Sequence, residues 1–295
     1  MQDLFADVNS IRLHAVAEGS GPLILFLHGF PEFWSMWRQQ LSEFGHDHLA
    51  LAPDMRGYNL SSRPARTEDY ELPVLVEDIR ALAAHFGYRR FTLVGHDWGG
   101  VVAWCFALAH PECLDALAIL NAPHPAIFER ELRTNPAQRL ASRYIAMFRT
   151  PLAEYLLSRN NFDALLKAVH PLGNRDAEIS ETVRAEYIRA WSQPGALTGM
   201  LNYYRAMPAT PPRGDPPRTP SSLFPQVRSW VIETPTLVIW GEQDRFLLPG
   251  LLRGLEGFTP NISLHRVPGA SHWIVRTEPE VVNHLLRDFL RARQL

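Results

Sequence analysis

Runs of consecutive apolar residues, each stopped by a turn residue, dominate both ends of this chain. Leu23–Leu27 meets His28-Gly29, Phe91–Val94 meets Gly95, Ala116–Leu120 meets Asn121 and Thr236–Trp240 meets Gly241. His48–Ala52, ahead of Pro53-Asp54, and Ser263–Val267, ahead of Pro268-Gly269, have the same length with a more mixed pattern. Such short apolar runs suit strands buried on both faces. Two short alternating segments precede the first run. Helical spacing lies between several of them, over Val76–Phe86, closed by Gly87, and over Val101–Ala109, while Pro279–Ala292 ends the chain. Strands that alternate with helices predict an α/β fold, a mostly parallel sheet flanked by helices.

From about Pro125 to Val231 the strand runs stop. This stretch is helical and aromatic-rich, with helical patterns over Arg143–Phe148, Glu154–Ser158 and Ala185–Trp191. It closes on a proline cluster (Pro208, Pro211, Pro212, Pro216, Pro217, Pro220 and Pro225), which no helix interior tolerates and which reads as an extended surface connection. The expected organisation is a core of residues 1–125 and 231–295 with a helical cap, 126–230, inserted between its halves. No fixed repeat is visible.

Composition narrows the function classes. Across 295 residues, 29 basic and 31 acidic side chains leave a net charge of -2, and the two signs are mixed along the chain. That balance argues against nucleic-acid or anionic-membrane partners. Two cysteines, Cys105 and Cys113, do not make a disulfide framework and fit a reducing, cytoplasmic setting. The first twenty residues lack the basic and apolar regions of a signal peptide, and no stretch approaches about 18 uninterrupted apolar residues, so no membrane span is expected. Only Lys167 among the basic residues is lysine, an arginine bias expected of a GC-rich bacterial genome.

Gly95-His96-Asp97-Trp98-Gly99-Gly100, between a strand pattern and a helix pattern, has the form of a nucleophile elbow. Taken alone it also fits a Gly-rich turn with a helix-capping aspartate. An aspartate at its centre selects the chemistry. A carboxylate attacking a saturated carbon forms an ester, which water can cleave, whereas a serine would form an inert ether; epoxides and alkyl halides are the matching electrophiles. Ester cleavage needs a base, and His272, in the loop after Ser263–Val267, stands last in the order nucleophile, acid, histidine. Asp244, beyond the strand run ending at Trp240, is the acid to orient it, with Glu242 as competitor; the preceding core strand ends at Asn121, which holds no charge. The backbone N–H groups of Phe30 and Trp98 would form an oxyanion hole, and Pro31 permits a tight, cis-capable turn. Neither H-E-x-x-H nor comparable metal-ligand spacing occurs, so no metal and no cofactor are expected.

Six segments in order, HGFPE at 28–32, DMRGYNLSSRP at 54–64, GHDWGG at 95–100, SQPGALTGMLNYYR at 192–205, WGEQD at 240–244 and GASHW at 269–273, resemble the α/β-hydrolase superfamily. Within it, the chain resembles the soluble, Asp-nucleophile epoxide hydrolases over nearly its whole length. The resemblance implies an eight-stranded, mostly parallel sheet with an inserted helical cap, and hydrolysis of epoxides to vicinal diols, with detoxification as the associated role. It also implies two cap tyrosines that protonate the epoxide oxygen, matching Tyr204 and Tyr144. Asn59 stands where the family usually has glycine, a replacement that a left-handed turn tolerates. Phe30, Pro31, Trp98 and Trp273 would line an apolar pocket for a small lipophilic epoxide. A monomer and a homodimer are both open. Haloalkane or haloacid dehalogenation is the alternative activity, although Phe30 replaces one halide-binding residue of the former and Trp98 the carboxylate-binding arginine of the latter. A non-catalytic ligand-binding protein of this fold is the alternative from another class.

Overall fold

A computed structural model describes residues 1–169, 180–210, 214, 215 and 217–295. Eight strands form one sheet: β1 (Gln2–Val8), β2 (Ile11–Glu18), β3 (Leu23–Leu27), β4 (Leu49–Pro53), β5 (Phe91–His96), β6 (Leu114–Leu120), β7 (Thr236–Gly241) and β8 (Ile262–Val267). Their order is β1-β2-β4-β3-β5-β6-β7-β8. β2 pairs antiparallel with β1 and β4, and every later pairing is parallel. The apolar runs of β3, β5 and β7 are buried at every position because helices cover both faces of the sheet. β8, at the edge, is largely solvent-exposed, which explains its mixed sequence.

The two-residue period of each strand divides the core. Leu25, Leu27 and Leu93 pack toward α2 (Leu72–His85) and α3 (Trp98–Ala109), whereas Ile24, Phe26 and Val94 pack toward α1 (Arg38–Phe44) and α11 (Pro279–Arg291). α11 faces this second core with Val282, Leu286, Phe289 and Leu290. Burying each such side chain stabilises by about 1.5–3 kcal/mol.

Between β6 and β7 the chain forms α4 (Pro125–Thr134), α5 (Pro136–Ala141), α6 (Tyr144–Phe148), α7 (Ala153–Val169), α8 (Glu181–Trp191) and α9 (Ala196–Ala206). Helical spacing did not mark α4 or α5. The charged spacing of α4 hides its start, although Pro125 sits at its first turn. α5 is a single short element whose N-cap, Asn135, accepts hydrogen bonds from the Ala137 and Gln138 N–H groups. One expectation is corrected: the proline-rich stretch is not simply a surface connection. Pro220 and Phe224 are buried, and Pro208, Arg218 and Leu223 line a cavity, because the segment folds back over the open end of the sheet. Pro211, Pro212 and Pro216 lie outside the described residues.

Candidate active site

β5 delivers Asp97 into a sharp turn from which α3 starts, and Asp97 itself has φ +52° and ψ -122°. That conformation is costly for a side-chain-bearing residue and holds only because the surroundings dictate it. The turn closes tightly enough that a Cβ on Gly99 would strike the carbonyl oxygens of Leu27 and His28, and one on Gly29 would strike the Asp97 side chain. The Asp97 carboxylate is thereby held at the C-terminal end of the sheet against the loop that follows β3.

That loop meets it with donors. The Phe30 N–H donates to Asp97 Oδ1 at 2.8 Å, the Trp98 N–H also bonds the carboxylate, and the Phe30–Pro31 peptide is cis. His28 anchors the loop from below: its Nε2 accepts the Met55 N–H at 3.0 Å while Nδ1 lies 3.0 Å from the Gly29 carbonyl. Full burial keeps His28 neutral, pushing its pKa down to about 4.

His272 Nε2 lies 3.6 Å from Asp97 Oδ2, and its Nδ1 lies 2.7 Å from Asp244 Oδ2. A carboxylate only accepts, so Nδ1 carries the proton and Nε2 presents its lone pair to the cavity. Asp244 is fully bonded: Oδ1 accepts the N–H groups of Phe246 and Leu247, both at 2.8 Å, and Oδ2 also accepts Asn121 Nδ2 at 2.7 Å. Glu242, the competing acid, instead pairs with Arg266 on the outer edge at 2.7 Å. His96 Nε2 lies 2.8 Å from the His272 carbonyl, fixing the base from behind.

Burial shifts the site's titrations. It pushes Asp97 up, against the pull of His272 and of the Phe30 and Trp98 N–H groups. For His272 burial opposes the charge, yet Asp244 and then Asp97 hold its pKa above 6.5. Tyr204, buried, and Tyr144, partly buried, line the cavity with Asp97 and are raised well above 10 by desolvation and by the carboxylate, so both keep their protons at neutral pH.

Two apolar cavities have Asp97, Tyr144 and Tyr204 as common lining. One is walled by Trp98, Pro123, Phe128, Leu223 and Trp230; the other by Phe30, Pro31, Met147, Leu165 and Trp273 with His272. The structure thus brings together Asp97, His272, Asp244, Tyr144, Tyr204, Phe30, Pro31, Trp98 and Trp273, every residue singled out in the sequence. Among the described residues no group of three or more His, Cys, Asp or Glu side chains is placed to hold a metal ion.

Three contributors were not legible beforehand. Asn121 was noted only as uncharged, yet it bridges Asp244 to the β7 end by accepting the Gly241 N–H at 2.8 Å. His96 passed as part of the elbow. Glu32, buried in the HGFPE segment, accepts from the Tyr187 hydroxyl at 2.6 Å and from Arg276 at 3.2 Å, joining α8 to the short helix α10 (Ile274–Thr277) ahead of α11. A polar residue inside an otherwise apolar strand-end motif is the signal each of them offered.

The family model described as alpha/beta hydrolase fold matches residues 22–279. Epoxide hydrolase 3 of Xenopus tropicalis is 38% identical over 291 residues, spanning 96% of this chain and 76% of that protein. The chain belongs to the epoxide hydrolase family of α/β-hydrolases. The AB hydrolase superfamily protein YfhM of Bacillus subtilis is 40% identical, with 97% of each chain covered. The crystal structure of Bacillus megaterium epoxide hydrolase in complex with an inhibitor superposes with a TM-score of 0.90 at 39% identity, covering 98% of this chain and 100% of that one. Membership in this family accounts for the sheet order and for the helices that follow β6. No described helix is long and apolar enough to cross a membrane.

Proposed function

We propose that the protein hydrolyses epoxides to vicinal diols through an alkyl ester on Asp97, with residues 126–230 acting as a cap over a core of 1–125 and 231–295. The observation that carries this reading is the facing of two protonated tyrosines, Tyr144 and Tyr204, across one apolar cavity from a carboxylate held by backbone donors. The named activities of the Xenopus and Bacillus megaterium relatives support it.

The epoxide oxygen sits between the tyrosine hydroxyls, and Oδ2 of Asp97 attacks a ring carbon while the C–O bond breaks and a tyrosine gives its proton to the alkoxide. Oδ1, held by the Phe30 N–H, becomes the ester carbonyl. Water, deprotonated by His272 Nε2, then adds to that carbonyl, and the two N–H groups stabilise the oxyanion. Collapse releases the diol, and the proton on His272 returns through solvent or diol to the tyrosinate. One water is consumed, and no cofactor enters the balance.

The charge arrangement gives the second step its timing. Asp97 raises the His272 pKa in the resting enzyme. Esterification removes that negative charge, so the imidazole becomes easier to hold neutral just when a base is required.

A screen of terminal and internal epoxides, alkyl halides and haloacetates, scoring diol and halide, tests the activity. Diol without halide is expected, and halide without diol would favour dehalogenation. The covalent step is tested on His272→Ala, which should accumulate a substrate adduct on Asp97 visible by intact mass; no adduct from a substrate that the wild type converts would sink the mechanism.

A further inference from the structure

α5, α6 and the first turns of α7 have two unlike faces. Their inner side chains, Tyr144, Met147, Phe148 and Leu157, line the cavities above Asp97. Their outer side chains are Arg139, Leu140, Arg143, Arg149, Leu152, Tyr155, Leu156 and Arg159, all exposed. Leu140, Leu152 and Tyr155 are 64%, 63% and 62% accessible and Leu156 is 41%, which places four of the ten exposed large hydrophobics of the described residues within this one stretch. Scattered apolar residues mean nothing, but a cluster this dense marks a contact surface.

The charges point to the occupant. Between residues 139 and 159 the only carboxylate is Glu154, and Arg205 neutralises it at 2.7 Å. None of Arg139, Arg143, Arg149 or Arg159 has a carboxylate partner among the described residues. Arg149 NH1 is fixed on the Met207 carbonyl at 2.7 Å and Arg139 NH1 on the Arg133 carbonyl at 3.1 Å, leaving the remaining guanidinium donors facing solvent. Arg139, Arg143 and Arg149 also rim a groove that shares Leu132, Ile145, Met207 and Pro208 with the active-site cavity walled by Trp98 and Phe128. Cations interleaved with protruding leucines and a tyrosine suit an interface of anionic head groups over acyl chains; nucleic acid would leave the leucines unused.

We propose that this outer face of the cap docks the protein on anionic lipid surfaces, setting the mouth of the cavity against the phase into which lipophilic compounds partition. The docking does not depend on which electrophile the site converts. The chain-wide charge balance argues against such a partner; the stretch 139–159 departs from that average, with four arginines, one neutralised carboxylate and four exposed apolar side chains.

Co-sedimentation with vesicles tests it directly. The full protein should bind phosphatidylglycerol/phosphatidylcholine vesicles, bind pure phosphatidylcholine at least about tenfold less, and be released by 0.5 M salt, since cationic residues add binding near an anionic surface that salt screens. Arg139→Gln/Arg143→Gln/Arg159→Gln should lose binding by roughly a hundredfold on the same reasoning. Leu152→Ser/Tyr155→Ser/Leu156→Ser should weaken it with the charges intact. Unchanged thermal unfolding of both variants establishes that they are folded. Equal binding to both vesicle types, binding that survives both variants, no vesicle binding at all, or binding to duplex DNA in place of vesicles would each overturn the proposal.

Discussion

The two sides of the cavity are held by different physics. On the core side, Asp97, His272 and Asp244 stand at strand ends and are fixed by directional bonds: the Phe30 N–H on Asp97, and Asn121, Phe246 and Leu247 on Asp244. On the cap side, Tyr144 and Tyr204 are held chiefly by rings, with Tyr204 4.9 Å from Phe148, 5.2 Å from Trp98 and 5.4 Å from Phe30, and Tyr144 5.6 Å from Phe246. Hydrogen bonds from strand ends fix a group in one place. Each aromatic pair adds about 0.5–1.5 kcal/mol beyond the area it buries but fixes direction less sharply than a hydrogen bond. Under the proposed mechanism the core side would supply nucleophile and base from rigid strand ends, and the cap side the acid from a more adjustable wall.

Breaking the core side should have the largest effect. Asp97→Ala is expected to reduce diol formation by about 10⁴-fold or more, since without a nucleophile neither step proceeds; steady-state product assays measure it. Tyr204→Phe and Tyr144→Phe should each slow ring opening by about 10²-fold or somewhat less, the scale of one general acid when a second remains, and the double variant by considerably more. Single-turnover alkylation rates read this, and an unchanged rate in Tyr204→Phe would remove that residue from the acid role.

Asn121→Ala sharpens the comparison from the other side. It leaves Asp97 untouched but strips a donor from Asp244 and unpairs the buried Gly241 N–H, so ester hydrolysis should slow by about tenfold while alkylation holds. The same change should destabilise the fold by about 1–3 kcal/mol, measurable by urea unfolding. Next in size is a titration: Asp97→Ala should lower the His272 pKa, because it removes one of the charges that raise it. Imidazole proton NMR would follow that shift. The sign also fixes a stability trend. A raised His272 pKa favours the folded state below pH 6.5, and that contribution is lost as pH rises through the folded-state value. The smallest expected effect is Tyr187→Phe, which removes one bond to Glu32 while Arg276 stays as partner; about 1 kcal/mol in unfolding is expected, with little change in turnover of a small substrate.

Several features of this molecule are local and were therefore readable along the chain. Apolar runs of about five residues announce strands covered on both faces, and the structure starts β3, β5 and β7 where those runs begin. Glycines around Asp97 announce a turn that only small neighbours permit. The residue type at its centre selects ester over ether chemistry without reference to any contact. Asp97, Asp244 and His272 could be put in order as the proposed nucleophile, acid and base because each follows a strand, and parallel strands all end on the same side of a sheet.

What the tertiary structure alone decided depends on residues far apart in sequence. Asp244 rather than Glu242 meets His272 because β7 leaves its end facing Asn121 and His272 while Glu242 pairs with Arg266. Asn121 acquires its role only because β6 and β7 are neighbours. The proline-rich stretch could be recognised as non-helical, but its folding back over the cavity follows from packing of Pro220 and Phe224 that no local pattern encodes. α5 resists reading for the same reason: a helix of six residues has too few turns to show a period and is stabilised by what it packs against. Charge obeys that division too. The sum of charges is a property of the sequence, whereas the exposure of Arg139, Arg143, Arg149 and Arg159 is a property of the fold, because only packing decides which side chains meet water.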